Sequence, residues 1–127
     1  MTWWNFYFQL HPGAITTVEA IEFLRALMRH IPTDLSVVWD RLGAHTSRAT
    51  RQFVAEQGGR IILEYLPAYA PELNPVEYLW GHWKQHAIPN LCAADYNQLS
   101  WHARESLRRL RRRKTLIAAF WIQAQLF

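Results

Sequence analysis

The run Leu35-Ser36-Val37-Val38-Trp39 constrains the fold more than any other stretch of the chain. It has too few polar positions for a strand lying on the surface, so it reads as a buried strand of the parallel kind, and it ends at Asp40. Thr46 or Ser47 can then cap a helix that turns Ala49, Phe53 and Val54 inward and stops at Gly58-Gly59. Arg60-Ile61-Ile62-Leu63-Glu64-Tyr65-Leu66 follows as the next strand. A strand, a helix and a second strand in that order spell α/β with a parallel sheet.

The flanking segments extend the pattern. Trp4 to Leu10 is aromatic-rich and predicts another strand, closed by the turn pair Pro12-Gly13. Thr16-Thr17-Val18-Glu19 is a capping box, in which a Thr hydroxyl and a Glu three residues on satisfy each other's free backbone N–H. The helix it opens aligns Val18, Ile21, Leu24, Leu27, Met28 and Ile31 on one face until Pro32 stops it. After a loop with Pro67, Pro71 and Pro75, a helix from Pro75 to Ala87 places Val76, Leu79, Trp80 and Trp83 on one side and ends before Pro89. One long helix from Asp95 to Arg113 buries Leu99, Ala103, Leu107 and Leu110 and turns its arginines outward. The apolar tail Thr115–Phe127 packs on the core or on a partner.

Composition limits what such a chain can be. At 127 residues it fits a single domain, 1–127, with a core over 1–90 and a basic helix plus apolar tail over 91–127. Half the residues are hydrophobic, which is a folding composition. One cysteine, Cys92, excludes an internal disulfide framework or a multi-Cys zinc ribbon and reads as a small buried residue. No apolar run approaches the roughly 20 residues a membrane span needs, and the N-terminus lacks the pattern of a signal peptide. These features predict a soluble chain in the cytoplasm, associated with the nucleoid if DNA is its partner.

Charge is unevenly placed. Residues 1–100 carry a net −2, and residues 101–127 a net +6. Arg104, Arg108, Arg109, Arg111, Arg112, Arg113 and Lys114 put seven cations in eleven residues. That block is either a solvated charge run or a footprint for the phosphate backbone of DNA. Arg48 and Arg51, one helix past Asp40, could face the same partner.

Two carboxylates are placed for chemistry, and each also has a plain structural reading. Asp40 follows a buried strand, where open α/β sheets bind ligands, yet Asp also begins turns. Glu77 sits at the third position of a helix started by Asn74 and Pro75, which explains it without catalysis. His82 and His86 lie four apart, a zinc-compatible spacing, but without the His-Glu-x-x-His pattern they read as polar-face histidines. His45 is either a hydrogen-bonded structural residue or a substrate contact near Asp40.

Leu66-Pro67-Ala68-Tyr69-Ala70-Pro71-Glu72-Leu73-Asn74-Pro75-Val76-Glu77-Tyr78-Leu79-Trp80 resembles the signature of the mariner-type superfamily of DDE transposases, including bacterial insertion-sequence endonucleases. In that signature the stretch L-P-x-Y-[AS]-P-[ED]-L-N-P-[VI]-E-x-x-W contains the third catalytic acid, which matches Glu77. Val37-Val38-Trp39-Asp40, with His45 and an amphipathic helix behind it, looks like the second catalytic acid on its strand. Thirty-six residues lie between Asp40 and Glu77, close to the family's mid-thirties spacing. Pro71, Asn74, Pro75, Trp80 and His45 are the supporting positions.

The resemblance implies a ribonuclease H-like catalytic fold in which three carboxylates hold two Mg²⁺ (or Mn²⁺) ions for DNA strand cleavage and transfer. Asp40 and Glu77 would be two of the three ligands. The family's first aspartate stands on a central strand that has no counterpart here. Asp34, the only Asp before Asp40, lies beside the strand leading to it and so cannot come from another strand. On this alignment Trp4–Leu10 is the third strand, the fold is N-terminally truncated, and the helix-turn-helix region is absent. Two carboxylates hold two metals poorly, so no unaided cleavage is expected, and the missing strand leaves free edges and uncovered apolar faces. The chain would then be the C-terminal part of a catalytic domain: the second half of a split transposase, partnered by an upstream fragment or another transposase subunit, or a decayed remnant. The alternative is a non-catalytic DNA-binding or regulatory module.

Overall fold

The structure is a computed structural model that describes residues 6–86 and 94–124. The expected strand start at Trp4, the helix end at Ala87 and Pro89, Cys92 and Leu126 lie outside the described residues. The chain divides into two compact units, residues 13–70 and residues 1–12 with 71–127.

The first unit begins with α1 (Thr17–His30), whose N-cap Thr16 forms the expected capping box. The Thr16 N–H donates to Glu19 Oε2 at 2.9 Å. Strand β1 (Leu35–Trp39) pairs in parallel with β2 (Ile61–Tyr65), Leu35 opposite Ile61 and Trp39 opposite Tyr65. Between them lie a single helical turn, α2 (Gly43–Thr46), and α3 (Arg48–Ala55). Ser47 caps α3 by accepting from the Thr50 N–H at 3.2 Å. Gly58 and Gly59 turn the chain at φ 65° and 86°, where a side chain would be strained.

Leu24, Phe53 and Ile61 form this unit's core, with Ile21, Met28, Leu35, Val37, Trp39, Val54 and Leu63 packed on it. Three expectations fail here. Val18, on the predicted inner face of α1, is exposed, while Ala20 in the same turn is buried, so the inner face is turned away from Val18. Ala49 is exposed and Thr50 is buried in its place, since Thr50 Oγ1 donates to the Ala44 carbonyl at 2.6 Å and needs that inward position. The strands are covered on one face only. Leu35, Val37, Trp39, Ile61, Leu63 and Tyr65 turn toward cover, while Ser36, Val38, Ile62 and Glu64 stand exposed. Helices α1 and α3 supply the cover within this unit.

The second unit is helical over its described residues. After a 3₁₀ turn, Pro71–Leu73, come α4 (Pro75–His86), α5 (Tyr96–Arg111) and α6 (Lys114–Gln123). Asp95 caps α5, accepting from the Gln98 N–H at 2.8 Å. The predicted single helix to Arg113 is broken at Arg112-Arg113, where the chain turns so that α6 can bury Ile117, Phe120 and Ala124. Thus the apolar tail packs on the core, as one of its two readings expects. Leu79, Leu107, Leu110 and Phe120 make the centre, joined by Phe6, Phe8, Leu10, Tyr78, Trp80, Trp83 and Leu116. Leu99 and Val76, both expected inside, are exposed. Each lies near the start of its helix, before the point where the helices converge.

Residues 6–10 form no strand. Their burial still alternates, with Phe6, Phe8 and Leu10 inward and Tyr7 and Gln9 outward. The period-2 signal was therefore real, but among the described residues the sheet has two strands, β1 and β2. Among the described residues no helix is long and apolar enough to cross a membrane.

Candidate functional site

Asp40 stands immediately beyond β1. The strand pair extends by one bond past its end, Leu66 N–H to the Trp39 carbonyl at 2.8 Å, which fixes the direction in which the chain leaves the sheet. Asp40 Oδ1 accepts from the Leu42 N–H at 3.0 Å and folds the next residues into an Asx turn. The same oxygen accepts from His45 Nδ1 at 2.9 Å, and the Asp40 carbonyl lies 3.3 Å from that nitrogen. Both of these partners are acceptors, so the proton belongs on Nδ1 and leaves Nε2 facing away from the carboxylate.

Two further contacts hold His45. Its ring stacks on Trp39 with centroids 4.0 Å apart and planes 4° from parallel. The Tyr65 hydroxyl donates to its carbonyl at 2.9 Å. Beside it the Arg41 Nε donates to the Leu66 carbonyl at 3.2 Å, with its guanidinium 5.7 Å over the Tyr65 ring. The Asp40 side chain remains 49% exposed while the His45 side chain is 20% exposed. The arrangement is a carboxylate at a strand end with one oxygen tied down and its remaining surface open to a ligand. Asp40 therefore begins the turn that its structural reading expects, and making the turn does not close the carboxylate. His45 is hydrogen-bonded, as one of its two readings expects; that its partner is Asp40 and that its ring stacks on Trp39 depend on the turn that folds the ring back.

Glu77 belongs to the other unit. Asn74 Oδ1 accepts from the Val76 N–H at 3.1 Å and the Asn74 carbonyl accepts from the Glu77 N–H at 3.0 Å, so Asn74-Pro75 starts α4 as the sequence predicts. Pro71 opens the 3₁₀ turn before it, and the Tyr78 hydroxyl donates to the Glu72 carbonyl at 2.7 Å, locking that turn to the helix. Glu77 is exposed in the first turn, and Trp80 anchors the same helix in the core. In the loop before it Tyr69 is fully exposed at φ 58°, a left-handed conformation costly for a bulky residue.

The cations divide. Arg48 and Arg51 are exposed on α3. Arg104, Arg109, Arg112, Arg113 and Lys114 are exposed, as is Arg108, which is paired with Glu105 at 2.9 Å. Arg111 departs from the expected outward set. Its guanidinium lies 5.4 Å over Phe6 and 5.1 Å over Phe8, and its Nε is buried without a hydrogen-bond partner. An inward arginine in a basic run follows from an aromatic segment at the other end of the sequence, Phe6 and Phe8, which no local pattern connects to it.

For a divalent cation the donors fit in kind. Asp40 and Glu77 are open carboxylates with the hard oxygens that Mg²⁺ and Mn²⁺ take. In number they fall short: among the described residues no three His, Cys, Asp or Glu gather into a group that could hold a metal ion.

Comparison with known proteins agrees with this geometry. The family profile of the DDE superfamily endonucleases matches residues 5–100. No curated protein matches the chain. Among solved structures, the chain is similar to the Mos1 transposase paired-end complex with the left transposon end, at 23% identity and a TM-score of 0.64 over 95% of this chain and 36% of that one. It is also similar to the catalytic domain of Mos1 mariner transposase, at 21% identity and a TM-score of 0.61 over 90% of this chain and 57% of that one. The Mos1 catalytic domain with raltegravir and Mg matches equally, at 21% identity and 0.61, over 90% of this chain and 58% of that one. The chain thus spans 36% to 58% of the length of these solved relatives. At such identities the likeness establishes fold: a mixed helix and strand arrangement like that ribonuclease H-like catalytic domain. With three quarters of its length matched by the family profile, the chain belongs to the DDE superfamily of endonucleases.

Proposed function

We propose that the chain is the C-terminal part of a DDE transposase catalytic core, of the mariner type that bacterial insertion sequences carry, serving Mg²⁺- or Mn²⁺-dependent DNA strand cleavage and transfer. The observation that carries this reading is Asp40, a pre-oriented, half-open carboxylate at a strand end inside a family match. Asp40 and Glu77 would hold the metal ions, two in the complete site, and the third carboxylate is supplied from outside these 127 residues. Bound divalent cations would activate the attacking water or 3′-hydroxyl and stabilise the leaving oxygen. His45 keeps the Asp40 carboxylate in one orientation, and Asn74-Pro75 hold Glu77 in the first turn of its helix. Arg48, Arg51 and the exposed arginines of α5 would bind backbone phosphates. Solved Mos1 structures with transposon ends, and with Mg or Mn, support DNA and a divalent cation as partners.

The test is nicking of supercoiled DNA in Mg²⁺ or Mn²⁺ by the chain alone and mixed with a transposase fragment carrying the first aspartate. The expected result is nicking only in the mixture, lost at least a hundredfold, on the order of 3 kcal/mol, in Asp40→Ala or Glu77→Ala. Activity in the mixture that survives both substitutions overturns the reading. The exposed cations of α5 favour a second one, a DNA-binding module without chemistry, which would bind DNA with steep salt dependence, show no nicking in any mixture, and be indifferent to both substitutions.

A further inference from the structure

The helical unit contains a cleft of about 350 Å³ whose polar lining is His82, His86, Ser106, Arg109 and Arg113. Among the described residues no carboxylate lines it. His82 and His86 are one turn apart on α4 with ring centroids at 4.5 Å, Arg109 lies in the last turn of α5, and Arg113 stands beyond that helix at the N-cap of α6. Ser106 takes no part in binding, since its hydroxyl donates to the Ala103 carbonyl at 3.0 Å and accepts from Trp83 Nε1 at 2.8 Å. The His82 ring also lies 5.8 Å from that of Phe120 on α6.

Four cationic or potentially cationic groups facing one cleft without a carboxylate repel one another. The effect is visible at His82, whose pKa lies below 6.5 because of burial first, then His86 and Arg113. The ends of α4 and α5 bring partial negative charge, about half a unit each, and the two guanidiniums alone outweigh it. A second cleft, of about 420 Å³ and lined by Arg25, Arg29, Glu56 and Arg60, differs in this respect. There Arg60 is spent on the α1 carbonyls of Met28 and Ile31, at 2.7 and 2.8 Å, Arg25 lies over Phe53, and Glu56 supplies the counter-charge. In the α4–α5 cleft no such use exists for Arg109 or Arg113 among the described residues. A zinc ion on His82 and His86 would meet both guanidiniums, so the cleft opposes a cation and suits an oxyanion.

We propose that His82, His86, Arg109 and Arg113 form a binding site for a phosphate group, with a DNA backbone phosphate as its source. The source rests on the proposed function; the phosphate rests on the cleft. Planar guanidiniums bind phosphate oxygens in pairs, and a protonated His82 imidazole adds a donor that disappears as pH rises through its titration. Binding therefore weakens with rising pH, and it raises the His82 pKa. The groups facing His82 are His86 from its own helix, Arg109 from the last turn of α5 and Arg113 from the N-cap of α6.

The test follows the imidazole ¹⁵N signals of the whole chain through a pH titration, alone, with inorganic phosphate and with a duplex oligonucleotide. The expected result is a rise in the His82 midpoint of about half a unit or more with a ligand, absent in Arg109→Gln/Arg113→Gln and retained in Arg113→Lys, with circular dichroism confirming that each variant folds. A midpoint unmoved by both ligands, or a shift that survives in the double Gln variant, overturns the site. If the duplex binds by anisotropy while His82 stays unmoved, the site fails and DNA binding stands. If phosphate moves His82 and the duplex does not bind, the phosphate site stands and DNA is overturned as its source.

Discussion

The two units of the chain divide labour by charge and by architecture. Residues 13–70 carry six acidic and six basic side chains, whereas residues 1–12 and 71–127 carry four and eight, so the whole net charge of +4 belongs to the helical unit. The sheet-bearing unit spends its polar groups internally. Thr50 ties Ala44, Ser47 ties Thr50, His45 ties Asp40, and Arg60 ties the end of α1. The helical unit holds together mainly by aromatic and leucine packing and leaves most of its cations unspent. A strand end positions one carboxylate closely because ladder, turn and ring stack all meet there. A helix face presents many cations because its backbone needs none of them.

The comparison breaks most readily at the two cores. Leu24→Ala and Leu107→Ala each remove a fully buried side chain and should cost about 2–4 kcal/mol in denaturant midpoints. Hydrogen exchange then separates the units, with Leu24→Ala loosening mainly residues 17–65 and Leu107→Ala mainly residues 75–123. Equal loosening everywhere would mean one cooperative core. Next in size is Thr50→Val, which keeps the volume but leaves the Ala44 carbonyl unpaired, a loss of about 1–2 kcal/mol by chemical denaturation. Asn74→Ala removes the cap of α4 and should cost about 1 kcal/mol, read in the same way. A loss as large as that of Thr50→Val would show that the helical unit also depends on local polar bonds.

The smallest effect is a pH slope. His82 has a lowered pKa in the folded chain, so the unfolded chain binds the proton more readily. Stability is full above 6.5 and declines as pH falls through and below that value, and thermal melts of His82→Gln should show a shallower decline. An unchanged slope would place the pH sensitivity elsewhere.

Much of this was legible in the chain because its signals are local. The Thr16 box, the Ser47 and Asn74 caps, the Gly58-Gly59 stop and the parallel run to Asp40 each depend on residues a few positions apart. What was not legible depends on partners distant in sequence. Val18, Ala49, Val76 and Leu99 carry the right periodicity but fall where no element arrives to cover them. The break at Arg112-Arg113 comes from α6 folding back, and an all-arginine stretch gives no sign of it. The His82 and His86 pair was visible at helical spacing and Arg109 and Arg113 as members of the basic run; that all four share one cavity is a tertiary fact.

Arg111 has a consequence for how the chain meets a polyanion. Each arginine that docks on a DNA phosphate releases a condensed counterion, and the logarithm of affinity falls with that of salt by about 0.9 per phosphate neutralised. An arginine already laid over Phe6 and Phe8 has exchanged its hydration for aromatic faces and has no phosphate to claim. The seven cations of the basic block therefore count as six at most in a salt titration. Releasing Arg111, by Phe6→Ala with Phe8→Ala, would steepen that dependence even as it loosens the fold, an inverse relation between firmness and ionic reach.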